Sequence, residues 1–164
     1  MAYLRDEQVD LLIDATHPFA AEMRRNAVAA CTALKLPLVA PTRPPWVAGP
    51  GDDWQTVPDI PAAVAALGAE RRRVMLAIGR MHLAEFAAAP RHFYLLRLVD
   101  APEAPPLPDC AVEVARGPFT LADDLALMKR HGIEVVVSKN SGGDGARAKL
   151  DAARELGLRV IPKD

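Results

Sequence analysis

Polar side chains that could bind a ligand or exchange a proton follow an apolar run near the start of the chain. Residues 9–15 are almost continuously apolar, which is typical of a strand covered on both faces. Asp14, Thr16 and His17 lie where this strand ends and a helix begins. A helix N-terminus favours anions, and histidine can transfer a proton near neutral pH. The pattern therefore predicts a ligand contact, with a structural helix N-cap at His17 as the alternative.

A glycine-rich segment at 138–145, Ser-Lys-Asn-Ser-Gly-Gly-Asp-Gly, is the second candidate site. Glycines between a strand and a helix allow successive backbone N–H groups to converge on an anion. Lys139, Asn140 and Ser141 add side-chain donors, and Gly142 allows a close backbone approach. This composition predicts a loop that binds phosphate or carboxylate groups.

Two other interpretations of the glycine-rich segment stay open. Gly143, Gly145 and Ala148 match a G-x-G-x-x-A dinucleotide fingerprint, and Asp164 lies about twenty residues further on, where a ribose ligand is expected. The segment could instead be an ordinary helix entry capped by Asp144.

Basic residues recur at the predicted carboxyl ends of strands. Ligands of open α/β sheets bind outside those ends, so cations gathered there predict an anion with several negative groups. Solvated surface arginines are the plain alternative. The basic residues are Arg80, Arg97, Arg116 and Lys139.

Strand and helix patterns alternate along the chain, which predicts an α/β fold with a mostly parallel sheet. Pro18 suits a first helical position, and Thr120 with Asp123 forms a capping-box-like pair. A segment rich in proline and glycine divides the chain into an N-terminal remnant (1–43), a linker (44–55) and a C-terminal domain (56–164). The predicted strands are 9–15, 37–41, 73–79, 92–99, 111–116, 134–139 and 159–162, and the predicted helices are 18–35, 59–68, 81–88, 121–131 and 145–156.

Composition narrows the class of protein. The chain has 164 residues and a formal net charge of −1, which argues against a general nucleic-acid surface. It has no apolar run of the roughly 18 to 20 residues that a membrane span needs, so a cytoplasmic protein is expected. Cys31 is predicted to be a core residue and a disulfide with Cys110 is not expected. No ligand spacing for a metal is present.

The chain resembles the precorrin-6A reductases, called cobalt-precorrin-6A reductases in the anaerobic route, of cobalamin biosynthesis. The resemblance extends from about Tyr3 to Pro162. The motifs D-A-T-H-P-F-A (14–20) and K-N-S-G-G (139–143) together are more specific than either alone. The matching residues are Leu11-Leu12-Ile13-Asp14-Ala15-Thr16-His17-Pro18-Phe19-Ala20, Arg43-Pro44, Ile78-Gly79-Arg80, Arg116-Gly117-Pro118-Phe119, Ser138-Lys139-Asn140-Ser141-Gly142-Gly143, and Lys149 with Ala152-Ala153-Arg154.

The resemblance implies two Rossmann-like parallel-sheet domains facing a cleft, and an oxidoreductase that uses NADPH to reduce one macrocycle double bond of a tetrapyrrole. It places Asp14, Thr16 and His17 beside the cofactor, and Lys139, Asn140, Ser141 and Gly142 on substrate carboxylates or cofactor phosphates. The cations Arg80, Arg97 and Arg116 suit the substrate carboxylates. His17 is the first candidate proton donor, Lys139 the second and solvent the third. A monomer or weak homo-oligomer, with no nucleic-acid or membrane partner, is expected.

The beginning of the chain departs from the family pattern. Family members open on a strand and a glycine-rich turn of the G-G-T-x-E-A kind that contacts the cofactor, and this chain lacks it, so an N-terminally truncated member with an incomplete first domain is expected. The alternatives are a tetrapyrrole-binding fragment without reductase activity, and an unrelated dinucleotide-binding domain built on the loop at Gly143 and Gly145.

Overall fold

The computed structural model describes residues 1–17 and 19–164. Contacts between Cα atoms divide the chain into two compact units, Met1–Pro44 and Pro45–Asp164. The first unit contains helix α1 (Ala2–Asp6), strand β1 (Leu12–Ile13), helix α2 (Ala21–Leu34) and strand β2 (Leu38–Val39).

The first unit is a small α/β layer in which β1 and β2 pair in parallel. Both strands are shorter than predicted. Helix α2 begins at Ala21 with Ala20 at the N-cap position, so the predicted N-cap role of His17 is wrong. The prediction for Pro18 lies outside the described residues. Cys31 is buried, as predicted for a core residue, and carries a free thiol.

The second unit is built on one parallel sheet of six strands within residues 45–164, with spatial order β3-β8-β7-β4-β5-β6. The predicted parallel α/β fold is thereby confirmed. Its elements are β3 (Asp53–Trp54), α3 (Ile60–Ala66), β4 (Arg73–Ala77), a 3₁₀ helix (Arg80–Ala88), β5 (Phe93–Leu98), β6 (Cys110–Val114), α4 (Leu121–Arg130), β7 (Val135–Lys139), α5 (Ala148–Glu155) and β8 (Arg159–Lys163).

Side chains that alternate along the strands form a hydrophobic core on each face of this sheet. Leu76 and Leu96 pack with α3 and the 3₁₀ helix on one face. Met75 and Leu95 pack with α4 and α5 on the other face. The sheet is therefore covered on both sides, and only its rims remain for ligands.

Three differences from the sequence prediction concern short-range structure. Strand β3 lies in the segment predicted as linker, and the short helix after β4 is a 3₁₀ helix. Helix α5 begins at Ala148 with Arg147 at the N-cap position, so the predicted cap at Asp144 is wrong. The capping pair is confirmed, because Thr120 Oγ1 accepts the Asp123 N–H at 3.1 Å.

No helix in the described part of the chain is long and apolar enough to span a membrane.

Candidate functional site

The strand order of the second unit reverses between β4 and β7. The connection after β4 leads towards β5, whereas the connection after β7 leads towards β8 on the opposite side. In open α/β sheets the crevice outside the carboxyl ends of such a pair is the usual ligand site. Gly79 and Arg80 follow β4 at this point, and Lys139 ends β7.

The backbone at the switch point adopts conformations that need glycine. Gly79 has φ 79° and ψ 170°, a region that residues with a Cβ essentially avoid. Gly142 and Gly143 have φ values of 64° and 73°. These glycines let the chain leave both central strands in sharp turns, with the loop of residues 140–147 between β7 and α5.

Lys139 lies at the carboxyl end of β7, beside this crevice. It is the register partner of Lys163 on β8. Burial lowers the pKa of Lys139, and the neighbouring Lys163 charge lowers it further. An anion placed beside the two ammonium groups would relieve their repulsion, which suits the predicted role of Lys139 in binding carboxylates or phosphates.

The side chain of Asn140 is used within the protein. Its Oδ1 accepts the Trp46 N–H at 2.7 Å, and its Nδ2 donates to Trp46 O at 3.1 Å and to Asp164 Oδ1 at 3.0 Å. Trp46 Nε1 in turn donates to Gly143 O at 2.7 Å. Asn140 therefore ties the segment before β3 to the glycine-rich loop, while Ser141 is buried. Their predicted substrate contacts stay predictions.

The three predicted arginines lie along the same rim but in different environments. Arg80 and Arg97 line a cavity of about 160 Å³ together with Gly79. Arg97 and Arg116 line an adjoining cavity of about 390 Å³ with Phe119. Arg116 is exposed and its NH2 donates to Asp100 Oδ1 at 3.0 Å. Arg97 is the residue common to both cavities.

Arg97 differs from the solvent-facing cation that its position suggested. Its side chain is 8% exposed and pairs with Asp124 on α4, whose side chain is 1% exposed. The guanidinium carbon also lies 4.0 Å from the centre of the Phe119 ring. A planar guanidinium held by a carboxylate and an aromatic face has a fixed orientation. Arg97 can therefore present a positioned charge to either cavity.

Lys149 is a second buried cation near this pair. Its Nζ donates to Ala146 O at 2.5 Å and lies 4.9 Å from the centre of the Trp46 ring. Burial, followed by the Arg97 charge, lowers the pKa of Lys149 to about 8, and Asp124 opposes the shift. The burial of Lys149 could not be predicted from the sequence beyond its place in the family resemblance, because a lysine near a helix start gives no signal of burial.

An ion pair between Asp52 and Arg154 fixes the segment that carries Trp46. Arg154 Nε donates to Asp52 Oδ1 at 2.8 Å and NH2 donates to Oδ2 at 2.7 Å, while the Gly49 N–H donates to the same Oδ2 at 2.8 Å. Bidentate geometry of this kind fixes direction as well as charge. The hydrogen bonds from Arg154 are the main reason that the pKa of Asp52 is lowered.

Asp52→Asn is expected to destabilise the second unit at neutral pH and to matter little in acid. A lowered folded-state pKa stabilises the protein above the usual value of 3.8, and this contribution is lost as the pH falls below that value. Urea unfolding at pH 7 and at about pH 3 measures the difference between wild type and variant. A difference that stays constant across this range would contradict the role of the ionised carboxylate.

The first unit carries the other predicted site, which lies at the end of β1. Asp14 Oδ1 accepts the Thr16 N–H at 3.1 Å and the Thr16 hydroxyl at 2.5 Å, and Arg24 Nε donates to Asp14 Oδ2 at 3.0 Å. These hydrogen bonds, with those from Thr16 largest, lower the pKa of Asp14. Asp14 thus closes the turn, whereas Thr16 and His17 are exposed beside it.

His17 has a defined hydrogen bond at one ring nitrogen. The Phe19 N–H donates to His17 Nδ1 at 3.3 Å. Because Nδ1 acts as the acceptor, the neutral His17 ring carries its proton on Nε2.

The other histidines contact groups within the protein. His92 is buried and its Nδ1 accepts the Arg72 N–H at 3.1 Å, while His131 ends α4 and stacks on Phe93. His82 Nδ1 lies 2.9 Å from Glu85 Oε1. Among residues 1–17 and 19–164, no group of three His, Cys, Asp or Glu side chains could hold a metal ion.

The doubly wound parallel sheet with a cation-lined crevice at its carboxyl edge defines a Rossmann-like α/β protein. The family described as Precorrin-6x reductase CbiJ/CobK matches residues 1–163, and the chain belongs to this family.

Individual relatives agree with this assignment. A Precorrin-6A reductase of Rhodobacter capsulatus is 58% identical over 160 residues, 97% of this chain and 64% of the relative. A Precorrin-6A reductase of a Sinorhizobium species is 48% identical over 97% of this chain and 61% of its own length. A solved CobK precorrin-6A reductase matches with a TM-score of 0.96 and 57% identity, over 99% of this chain and 65% of that chain. The chain spans less than two thirds of the length of these relatives.

Proposed function

We propose that this chain carries the tetrapyrrole-binding and part of the reducing machinery of an NADPH-dependent reductase that converts precorrin-6A, or its cobalt form, to precorrin-6B in cobalamin biosynthesis. The family match over residues 1–163 carries the proposal. The switch-point crevice supports it, because a substrate with several carboxylates suits a rim bearing Arg80, Arg116 and Lys139. Arg97, paired with Asp124, lines the two cavities beside this rim.

The described residues at the end of β1 are assigned to the nicotinamide end of NADPH, as the family resemblance implies. The Asp14 carboxylate is already paired with Arg24, so the pair adds no net charge to this turn. Thr16 and His17 offer exposed polar groups beside it. In this proposal NADPH supplies a hydride to one carbon of the macrocycle, and these residues border the reacting atoms.

Protonation of the neighbouring carbon is assigned to His17. As a general acid His17 acts in its imidazolium form, in which Nδ1 also carries a proton and the hydrogen bond from the Phe19 N–H is given up. Lys139 is the second candidate, and the lowered pKa of its ammonium group favours proton transfer relative to an ordinary lysine. Solvent is the third. Whichever of these three groups donates the proton, the remaining rim cations bind and orient the substrate.

A tetrapyrrole-binding chain without reductase activity is the second candidate, favoured by the extent of the match: this chain covers 64% of the Rhodobacter capsulatus relative. The family match leaves the unrelated dinucleotide-binding domain without support. In addition, Asp164, the residue expected to bind ribose, already accepts a hydrogen bond from Asn140.

The test is precorrin-6A-dependent loss of NADPH absorbance by this chain, beside a form extended upstream to the length of the relatives. We expect turnover by the extended form. Substrate binding without turnover by the short chain would identify the second candidate. If the extended form also failed to oxidise NADPH, the proposed reaction would be wrong.

His17→Asn in the active form is expected to lower kcat about 100- to 10,000-fold, the usual contribution of a general acid, and to leave substrate binding nearly unchanged. His82→Asn is the matched control, since His82 contacts Glu85. Unchanged turnover in His17→Asn would show that Lys139 or solvent, rather than His17, donates the proton.

A further inference from the structure

Two buried cations and one buried carboxylate lie close to the glycine-rich loop of residues 140–147. Arg97 and Asp124 form an ion pair, and both Arg97 and Asp124 influence Lys149 electrostatically. Lys149 is 7% exposed in the folded chain. This cluster of described residues therefore carries a net positive charge, which is costly in a protein interior unless it interacts with something of opposite sign.

Lys149 is joined to the loop by direct contacts. Its ammonium donates to Ala146 O and lies over the Trp46 ring, and Trp46 Nε1 donates to Gly143 O. Two carbonyl oxygens of the loop thus point towards the Lys149–Trp46 pair. The N–H groups of Asn140, Ser141 and Arg147 donate to carbonyl oxygens of the protein, so an anion at this loop would use N–H groups within residues 142–146.

We propose that Lys149 is a positioning residue that fixes this loop through Ala146 and adds a buried positive charge beneath it, so that the loop binds a polycarboxylate or phosphate. The proposal deepens the proposed function, because it rests on the loop being the anion site of that reaction. Trp46, which contacts Lys149, fixes the loop at a second point through its hydrogen bond to Gly143 O.

The lowered pKa of Lys149, about 8, gives this arrangement a pH dependence. The ammonium is charged below this value and loses its proton above it, so anion affinity falls as the pH rises through about 8. The charged groups that face Lys149 from neighbouring elements are Arg97 on β5 and Asp124 on α4. The Trp46 ring covers it from the segment before β3.

The test is citrate binding followed by isothermal titration calorimetry from about pH 7 to about pH 9.5, where the three carboxylates stay ionised. For the wild type we expect affinity to fall several-fold across this range. Lys149→Met should bind citrate weakly at every pH, and its affinity should no longer fall near pH 8. Lys149→Arg keeps a permanent charge and should bind well throughout.

Lys139 is the group most able to imitate this result, so Lys139→Gln is the control. Lys139→Gln should weaken citrate binding, yet its affinity should still fall as the pH rises through about 8. The proposal is overturned if the step disappears in Lys139→Gln but persists in Lys149→Met, if Lys149→Met binds citrate as the wild type does, or if the wild type binds no citrate.

Trp46 provides a second measurement that does not depend on Lys149→Met folding. Its indole contacts both Lys149 and the loop, so citrate should change the fluorescence of the wild type and of Trp54→Phe with the same affinity. In Trp46→Phe the loss of the bond to Gly143 should weaken binding several-fold. Equal affinity in Trp46→Phe and wild type would contradict the positioning role. Neither measurement uses NADPH or a tetrapyrrole, so a failed reductase assay leaves this result interpretable.

Discussion

Asp124→Asn is expected to lower the free energy of unfolding by about 3–5 kcal/mol, the cost of leaving a buried charge without its partner. Asp124 is the carboxylate between Arg97 and Lys149, and its side chain is 1% exposed. Its removal leaves two buried cations facing each other. Urea unfolding of the second unit, followed by circular dichroism, measures the loss.

Arg97→Met should cost less than Asp124→Asn. Without Arg97, the Asp124 carboxylate still has the Lys149 charge nearby, so its compensation is only partly lost. The double variant Arg97→Met with Asp124→Asn should be more stable than the sum of the two single losses predicts. Additive losses, or a larger loss for Arg97→Met, would contradict the account of this cluster.

The alternation of strands and helices could be predicted because the second unit buries both faces of its sheet. Continuous apolar runs such as 74–78 and 135–137 are typical of strands of this kind, so β4 and β7 were placed nearly correctly. Once these strands are placed, their carboxyl ends are known, and so are the positions of Arg80 and Lys139 at the rim. Strand β3 was missed because two residues at a sheet edge have no periodicity.

Side-chain partners were harder to predict because they depend on contacts between distant residues. Arg97 was expected to face the rim, but alternation along β5 turns it towards α4, where it meets Asp124. Asn140 was expected to bind ligand, yet its amide fits the backbone of Trp46, 94 residues away along the chain. Helix α2 begins at Ala21, three residues later than predicted, and Asp14 closes a turn with Thr16 ahead of it.

Lys139→Met is expected to weaken binding of the tetrapyrrole substrate about 10- to 100-fold, the usual effect of removing a charge-assisted hydrogen bond. The physical reason is the position of Lys139 at the switch point beside Lys163, where a bound carboxylate would offset the repulsion between the two ammonium groups. The measurement is the substrate dissociation constant by fluorescence quenching. Lys129→Met, on the exposed last turn of α4, is the matched control.

Lys139→Arg separates binding from proton transfer at the same position. Arginine keeps the positive charge but does not release a proton under these conditions. If Lys139 only binds carboxylates, Lys139→Arg should retain most of the affinity and most of kcat. If Lys139 is the proton donor in place of His17, Lys139→Arg should bind substrate and lose kcat as severely as Lys139→Met. A loss of binding in Lys139→Arg equal to that in Lys139→Met would show that the ammonium geometry, rather than its charge, selects the substrate.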